Sequence, residues 1–199
     1  MEDRAIIQKI LSGDLNAFET IVNTHQKLVS HVVFKMVRQT TDREEVCQDV
    51  FIKVYENLKS FQFNSKLSTW IARIAYNSCL NYLQKKKLPL YDDAMTTYDE
   101  KENNPISDSF SENIWGSSPG PEDKMMRAQV SEYLKTEIGH LPVQYRTIIT
   151  LYHLDEMSYQ EIGQVLNLPE GTVKSYLFRA RKMLKDKLLA KYQEEELMS

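Results

Sequence analysis

Residues 171 to 182 bring together the side chains of this sequence best suited to chemistry with a polyanion. Gly171, Thr172, Lys174, Ser175, Phe178, Arg179 and Lys182 fall together when the segment is projected as a helix at about 100° per residue. Cations on that face can neutralise phosphates, Arg179 or Lys174 can donate to guanine edges, and Phe178 can lie against a thymine methyl or a ribose in a major groove. Gly171, lacking Cβ, lets the helix N-terminus approach a phosphate closely. A merely solvated helix would alternate Glu and Lys instead. The alternative is a slightly different helical phase, with Phe178 in the core and the cations keeping the surface soluble.

The elements that must hold this face are legible around it. Val173, Leu177, Ala180, Leu184 and Leu188 form the opposite stripe, which packs inward. Upstream, an apolar-periodic helix runs from Leu141 to Leu154. Ser158 with Glu161 three residues on predicts a capping box at the start of a short helix whose inward face is Ile162, Val165 and Leu166. Asn167 marks a turn, and Pro169 opens the basic helix Glu170 to Lys191 at or near its first turn. Two short helices joined in this way predict a helix-turn-helix with the DNA-reading helix last.

A second constellation lies earlier. The run from Phe61 through Gln62, Asn64, Ser65, Lys66, Trp70, Arg73, Asn77 and Tyr82 to Lys85-Lys86-Lys87 interleaves aromatics, amides and cations. That composition suits unstacked or single-stranded nucleic acid, where aromatic faces and polar pockets hold extruded bases and lysines track the backbone. Trp70, Ile74 and Tyr82 also fit as core residues of an amphipathic helix, whereas Asn77, Lys66 and the loop do not.

From about Asp3 to Lys87 the pattern is helical, without β alternation, and breaks at Ser12-Gly13-Asp14, Gln39-Thr40-Thr41 and Asn64-Ser65, predicting four helices. The second, Leu15 to Arg38, carries a wide apolar stripe (Phe18, Ile21, Val22, Leu28, Val29, Val32, Val33, Met36, Val37) that places it at the centre of a small bundle. The third begins at Asp42 as a capping residue, with Glu45 at the capping-box position, and runs to about Leu58. Its inward stripe is Val46, Val50, Val54 and Leu58, widened by Cys47 and Phe51. Its outward face carries Glu45, Gln48, Asp49, Ile52 and Glu56, which is either a protein-docking surface with an apolar centre or a solvated face with one stray Ile.

With 199 residues, 42% of them hydrophobic, the chain suits two small domains with ordinary cores. The net charge of -3 is unevenly spread. Asp92, Asp93, Asp99, Glu100, Glu102, Asp108, Glu112, Glu122 and Asp123 crowd the middle, relieved by Lys101, while Lys85-Lys86-Lys87 and the last helix are basic, so the overall charge does not speak against nucleic acid. Cys47 and Cys79 are single and far apart, as small buried residues of a reducing cytoplasm. No metal or cofactor is expected. The start Met1-Glu2-Asp3-Arg4 lacks a signal-peptide apolar run, and no segment approaches the roughly 20 apolar residues that span a bilayer, so a soluble cytoplasmic protein is expected. An enzyme finds little support, since His25, His31, His140 and His153 share no ligand-like spacing and no phosphate loop or nucleophile motif occurs. A stand-alone regulator with a sensing or dimerising bundle would have no need of the Phe61–Lys87 composition.

Taken in order, three groups of motifs resemble the extracytoplasmic-function group of bacterial sigma factors, the small members of the sigma-70 family. Asp42-Arg43-Glu44-Glu45-Val46-Cys47-Gln48-Asp49-Val50-Phe51 is similar to the family's polymerase-binding helix. Ser68-Thr69-Trp70-Ile71-Ala72-Arg73-Ile74-Ala75-Tyr76-Asn77 is similar to its promoter-melting segment. Leu141-Pro142, Tyr145-Arg146, Ser158 to Ile162, Gly171 to Ser175 and Arg179-Ala180-Arg181 are similar to its carboxy-terminal domain. Leu67, where the family often has Phe, and Gln84, in place of a basic residue, depart from the pattern.

The resemblance implies an all-α chain of two helical domains. Residues 1–90 would bind the core RNA polymerase clamp helices through Glu45, Gln48, Asp49 and Ile52. They would also bind the minus-10 element through Gln62, Asn64, Ser65, Lys66, Trp70, Arg73 and Asn77, the loop from Gln62 to Lys66 with Asn77 forming the pocket for a flipped base. Residues 122–192 would bind the minus-35 element and the polymerase flap, followed by an acidic tail, 193–199. The acidic linker, 91–121, would be mostly disordered when free and would thread the polymerase cleft towards the RNA exit path. Family members are commonly held inactive by an anti-sigma protein, often membrane-anchored, which makes such a partner an expectation here.

Overall fold

The computed structural model describes residues 2–86 and 133–197, with side chains from 3 to 86 and 133 to 191. The acidic linker lies outside the described residues.

The first module holds α1 (Glu2–Leu11), α2 (Leu15–Met36), α3 (Thr40–Asn57), a single 3-10 turn (Leu58–Ser60) and α4 (Leu67–Lys85). Gly13, at φ 100, lets the chain reverse after α1, and the Asp14 carboxylate then caps α2 by accepting from the backbone N–H groups of Asn16 and Ala17. The apolar stripe of α2 is the centre of the bundle, with Val29, Val32, Val33, Met36 and Val37 essentially fully buried. Against it pack Val50, Val54 and Leu58 of the α3 side and Ile71, Ala72, Ala75 and Cys79 of α4, while α1 contributes Ile7 and Ile10.

One expectation is corrected. Asp42 does not cap α3, which starts two residues earlier at Thr40 behind Gln39, without a side-chain cap bond. Its carboxylate instead accepts from the Tyr82 hydroxyl (2.6 Å) and the Lys86 ammonium (2.9 Å), so it ties the end of α4 to the start of α3. Placed inside the helix rather than before its first turn, Asp42 has no free N–H of that turn to cap.

In the second module residues 133–140 are helical, followed by α5 (Val143–His153), α6 (Tyr159–Leu166) and α7 (Glu170–Leu197). The capping box at Ser158 and Glu161 is formed in full. Asn167 adopts the left-handed conformation that ends α6, and Thr172 and Val173 N–H groups donate to the Pro169 carbonyl to start α7. Gly163 is required by close packing, since a Cβ there would stand 2.7 Å from the Leu168 carbonyl oxygen. The last helix continues past Lys191 to Leu197, because Gln193 to Leu197 are all good helix formers.

The two modules lie against each other, α2 on α5 and α4 on α6. Ion pairs among the described residues cross the seam. His31 Nδ1 on α2 meets Asp155 Oδ1 after α5 at 2.7 Å, and Lys66 Nζ before α4 meets Glu161 Oε1 of α6 at 2.9 Å.

Candidate nucleic-acid and polymerase interfaces

Helix α7 is phased as its sequence predicts. Val173, Leu177, Ala180 and Leu184 are buried and Leu188 is half-buried, while Gly171, Lys174 and Ser175 are exposed and Thr172, Phe178, Arg179 and Lys182 are half-buried. At Gly171 an added Cβ would meet nothing within 4 Å, so packing within the chain does not demand a glycine there. Beside this face stands a ladder of rings and cations that periodicity does not reveal. Tyr152 and Tyr159 stack at 5.1 Å and 9°, with the Lys174 ammonium 5.4 Å above Tyr159 and the Arg181 guanidinium 5.1 Å from Tyr152. Lys174 is also paired with Glu170 at 2.7 Å.

The second constellation forms a cavity of about 320 Å³, within the range of small-ligand sites. The 3-10 turn and loop supply Ser60, Phe61, Gln62, Asn64 and Ser65, helix α4 supplies Thr69, Trp70 and Arg73, and α6 of the other module supplies Gln164. Phe61 is held between Trp70 (5.1 Å) and Phe63 (4.7 Å), and the Arg4 guanidinium covers Phe63 at 4.7 Å. Phe63 takes φ 58, an uncommon conformation for an aromatic residue. Asn64 donates to the Gln62 side-chain oxygen at 3.2 Å, ordering the two amides on the rim.

Of the residues read from sequence, Gln62, Asn64, Ser65, Trp70 and Arg73 meet in this cavity. Lys66 is drawn to Glu161, and Asn77 lies one turn beyond Arg73, exposed and outside the wall. Sequence reasoning missed Ser60, Thr69 and Gln164 as wall residues. Thr69 is 2% exposed and its hydroxyl has no hydrogen-bond partner, although it lines the cavity. Such a buried, unpaired hydroxyl is a local cost to the fold. Partial burial pushes the Glu161 carboxyl up, but hydrogen bonds from Lys66 and Ser158 outweigh it and hold that carboxyl below its ordinary range.

The outward face of α3 is as expected, with Glu45, Gln48, Asp49 and Glu56 exposed around Ile52, itself 55% exposed. Tyr55, also exposed, extends the apolar centre and is braced edge-on by Phe18 at 5.1 Å. At the foot of this face, Tyr82, Lys86 and Thr41 hydrogen bonds hold the Asp42 carboxyl at about 2. Among the described residues no cluster of His, Cys, Asp and Glu could hold a metal ion, and no helix is long and apolar enough to cross a membrane.

Comparison with known proteins accounts for both halves. Residues 21–88 match the model of sigma-70 region 2, and residues 131–184 that of sigma-70 region 4. The chain is 34% identical to the ECF RNA polymerase sigma factor SigW of Bacillus subtilis over 92% of this chain and 94% of that protein. It is also 34% identical to the ECF RNA polymerase sigma-E factor of Escherichia coli, covering 94% of this chain and 95% of that one. Among solved structures it is similar to CnrH in complex with the cytosolic domain of CnrY (TM-score 0.62, 23% identity, 96% of this chain and 99% of that chain). It is likewise similar to the sigma factor RpoE in complex with the anti-sigma factor NepR from Bartonella quintana (TM-score 0.60, 19% identity, 87% and 98%), a likeness of fold. A helix-turn-helix matching region 4, an aromatic and amide cavity within region 2, and close relatives along almost the whole length place the chain in the extracytoplasmic-function group of the sigma-70 family.

Proposed function

We propose that this alternative sigma factor grips its promoter at two separated places and core polymerase at a third, each served by one of the surfaces above. The exposed face of α7, with Gly171, Thr172, Lys174, Ser175, Phe178, Arg179 and Lys182, reads the minus-35 element, and the cavity under the loop 60–66 takes an extruded base of the minus-10 element. Lys66 and Asn77 flank that cavity and follow the strand backbone. Glu45, Gln48, Asp49 and Ile52 meet the polymerase clamp helices, and residues 122–192 meet the flap. In this division residues 1–90 form one functional domain, 91–121 the linker and 193–199 an acidic extension of the last helix.

The observation that carries the reading is the cavity built from Gln62, Asn64, Trp70 and Arg73, with Thr69 in its wall. It offers a stacking ring, amides and a cation, the groups that hold a flipped base. Each good base contact contributes about 1 to 3 kcal/mol of discrimination, while unstacking costs a few kcal/mol. Neither element suffices alone, so polymerase must hold both on one protein. The chain supplies binding and strand separation, and the chemistry of RNA synthesis belongs to polymerase.

An anti-sigma partner is the other proposed contact. Support comes from the fold neighbours CnrH and RpoE, which were solved with CnrY and NepR. A partner anchored in the membrane fits the cytosolic domain named for CnrY.

The test is in vitro transcription by core RNA polymerase on a library of promoter-like DNA, with and without this protein. Promoter-specific initiation that disappears in the Gln48→Lys, Asp49→Lys double variant is expected. Full initiation by that variant would remove the clamp assignment, and tight duplex binding without any initiation would replace the proposal with a stand-alone regulator.

A further inference from the structure

We infer that the seam between α2 and α5 holds a binding site for a compact polyphosphate anion, formed by Lys35, Arg38, Arg43 and Arg146. Its innermost member is Arg146, 3% exposed, on α5 where that helix packs on α2. Among the described residues its guanidinium makes one hydrogen bond, Nη1 donating to the Gly139 carbonyl at 2.9 Å, and its buried Nε has no partner. Arg43, half-buried, is fixed against the carboxy-terminal end of α2. Its Nε donates to the Val37 carbonyl at 2.9 Å, and its guanidinium lies 5.1 Å over the Phe34 ring. Lys35, half-buried, stands in the last turn of α2, and Arg38, exposed, just beyond it.

Among the described residues none of these four cations is in an ion pair, although the chain has 28 acidic side chains to 25 Lys and Arg. Burial, then the charges of Arg38 and Arg43, push the Arg146 guanidinium down to about 10. Burial, then Arg146, Arg43 and Lys135, push the Lys35 ammonium down as well. The four groups therefore repel one another, and the fold holds them together without a counter-charge. A buried charge without a partner is costly, and one multivalent anion relieves both the desolvation and the repulsion. Planar guanidinium forks match phosphate oxygens two at a time. A single carboxylate would leave most of the charge unbalanced, which favours linked phosphate groups. The gradient of exposure, from Arg38 outside to Arg146 within, suits a compact anion, whereas a duplex carries its phosphates on a rod too broad to enter between two packed helices.

The decisive experiment is isothermal titration calorimetry of the full chain with sodium tripolyphosphate, in magnesium-free buffer at fixed ionic strength. ATP, which carries the same phosphate chain on a nucleoside, and a random-sequence DNA duplex are titrated in parallel. The wild-type chain is compared with the outer double variant Lys35→Gln, Arg38→Gln and with Arg146→Met. A control, Lys9→Gln with Lys59→Gln, removes the same charge at exposed positions elsewhere. Melting curves confirm that each chain is folded. Because Arg146 also holds the Gly139 carbonyl, the outer double variant decides the matter if Arg146→Met does not fold.

Expected is saturable one-site binding of tripolyphosphate by the wild-type chain, unchanged in the control. It should weaken about tenfold or more in the outer double variant and in Arg146→Met, the factor that losing a hydrogen bond to a charged group implies. Tighter binding of ATP than of tripolyphosphate would assign the site to a nucleotide, and the reverse to a free polyphosphate; either upholds it. No saturable binding by the wild-type chain, or equal affinity in the outer double variant, would overturn the inference. An equal loss in the control would mark unselective charge attraction and overturn it as well. So would duplex binding that falls in the outer double variant while tripolyphosphate does not bind, which would transfer these cations to DNA.

Discussion

Replacing Thr69 with valine should move stability and strand binding in opposite directions. The two side chains share a β-branched shape, so the change removes a hydroxyl and little else. That hydroxyl is buried and has no partner in the free chain. Leaving a buried polar group unpaired costs about 1 to 3 kcal/mol. Part of that is recovered in the variant, and a gain of about 1 kcal/mol raises Tm by roughly 2 to 4 °C for a chain of this size. In the proposed complex the base would displace the atoms that cover this hydroxyl and accept from it, a hydrogen bond that would contribute about 0.5 to 1.5 kcal/mol net. Valine should therefore weaken single-strand binding roughly two- to thirteenfold. Thermal melting by circular dichroism and anisotropy with labelled single-stranded DNA measure the two quantities on one preparation. A Tm that falls by several degrees would mean that the hydroxyl has a partner within the fold. A raised Tm with unaltered DNA affinity would refute the role of the cavity.

Three further outcomes are expected. Gly163→Ala places a Cβ 2.7 Å from the Leu168 carbonyl oxygen and, as an overpacked backbone contact, should destabilise the helix-turn-helix by about 1 to 3 kcal/mol; a chemical-denaturation midpoint equal to wild type would contradict the turn geometry. Asp42, held at about 2 by Tyr82, Lys86 and Thr41, has a folded-state pKa below its unfolded value of about 3.9. Its contribution is thus present above pH ~4 and is lost as pH falls towards 2. Asp42→Asn should flatten that part of the stability profile, and an identical acid limb in wild type and variant would count against the bond. The Cys79 thiol, pushed up to about 12 chiefly by burial, should resist a disulfide reagent at neutral pH until the protein is denatured, whereas rapid modification in the native chain would be inconsistent with its place between the helices.

Much of the architecture was legible because it is written in local periodicity. The stripe of α2, the outward face of α3 and the phase of α7 each follow from apolar spacing at the helical period, and the capping box at Ser158 and the left-handed Asn167 follow from side-chain chemistry within a few residues. One local reading was overturned, and for a physical reason. Asp42 matched a capping signature, but α3 starts ahead of it at Thr40, and its carboxylate is engaged by Tyr82 and Lys86, about forty positions away. Asn77, one turn after Arg73, lies outside the cavity wall, a position that composition alone does not reveal.

By itself the sequence determined the helices, their buried faces, the helix-turn-helix and the family, since each depends on residues that are neighbours along the chain or on ordered motifs. Only the tertiary structure decided what meets across distance. It joined Tyr152 to Tyr159 as a ladder under Lys174, left Thr69 without a partner at the base of a cavity, and brought Glu161 to Lys66 and Asp155 to His31. The last two of these pairs link the two modules. They leave no periodic trace in either, because a polar pair across a seam constrains one residue on each side rather than a repeating face.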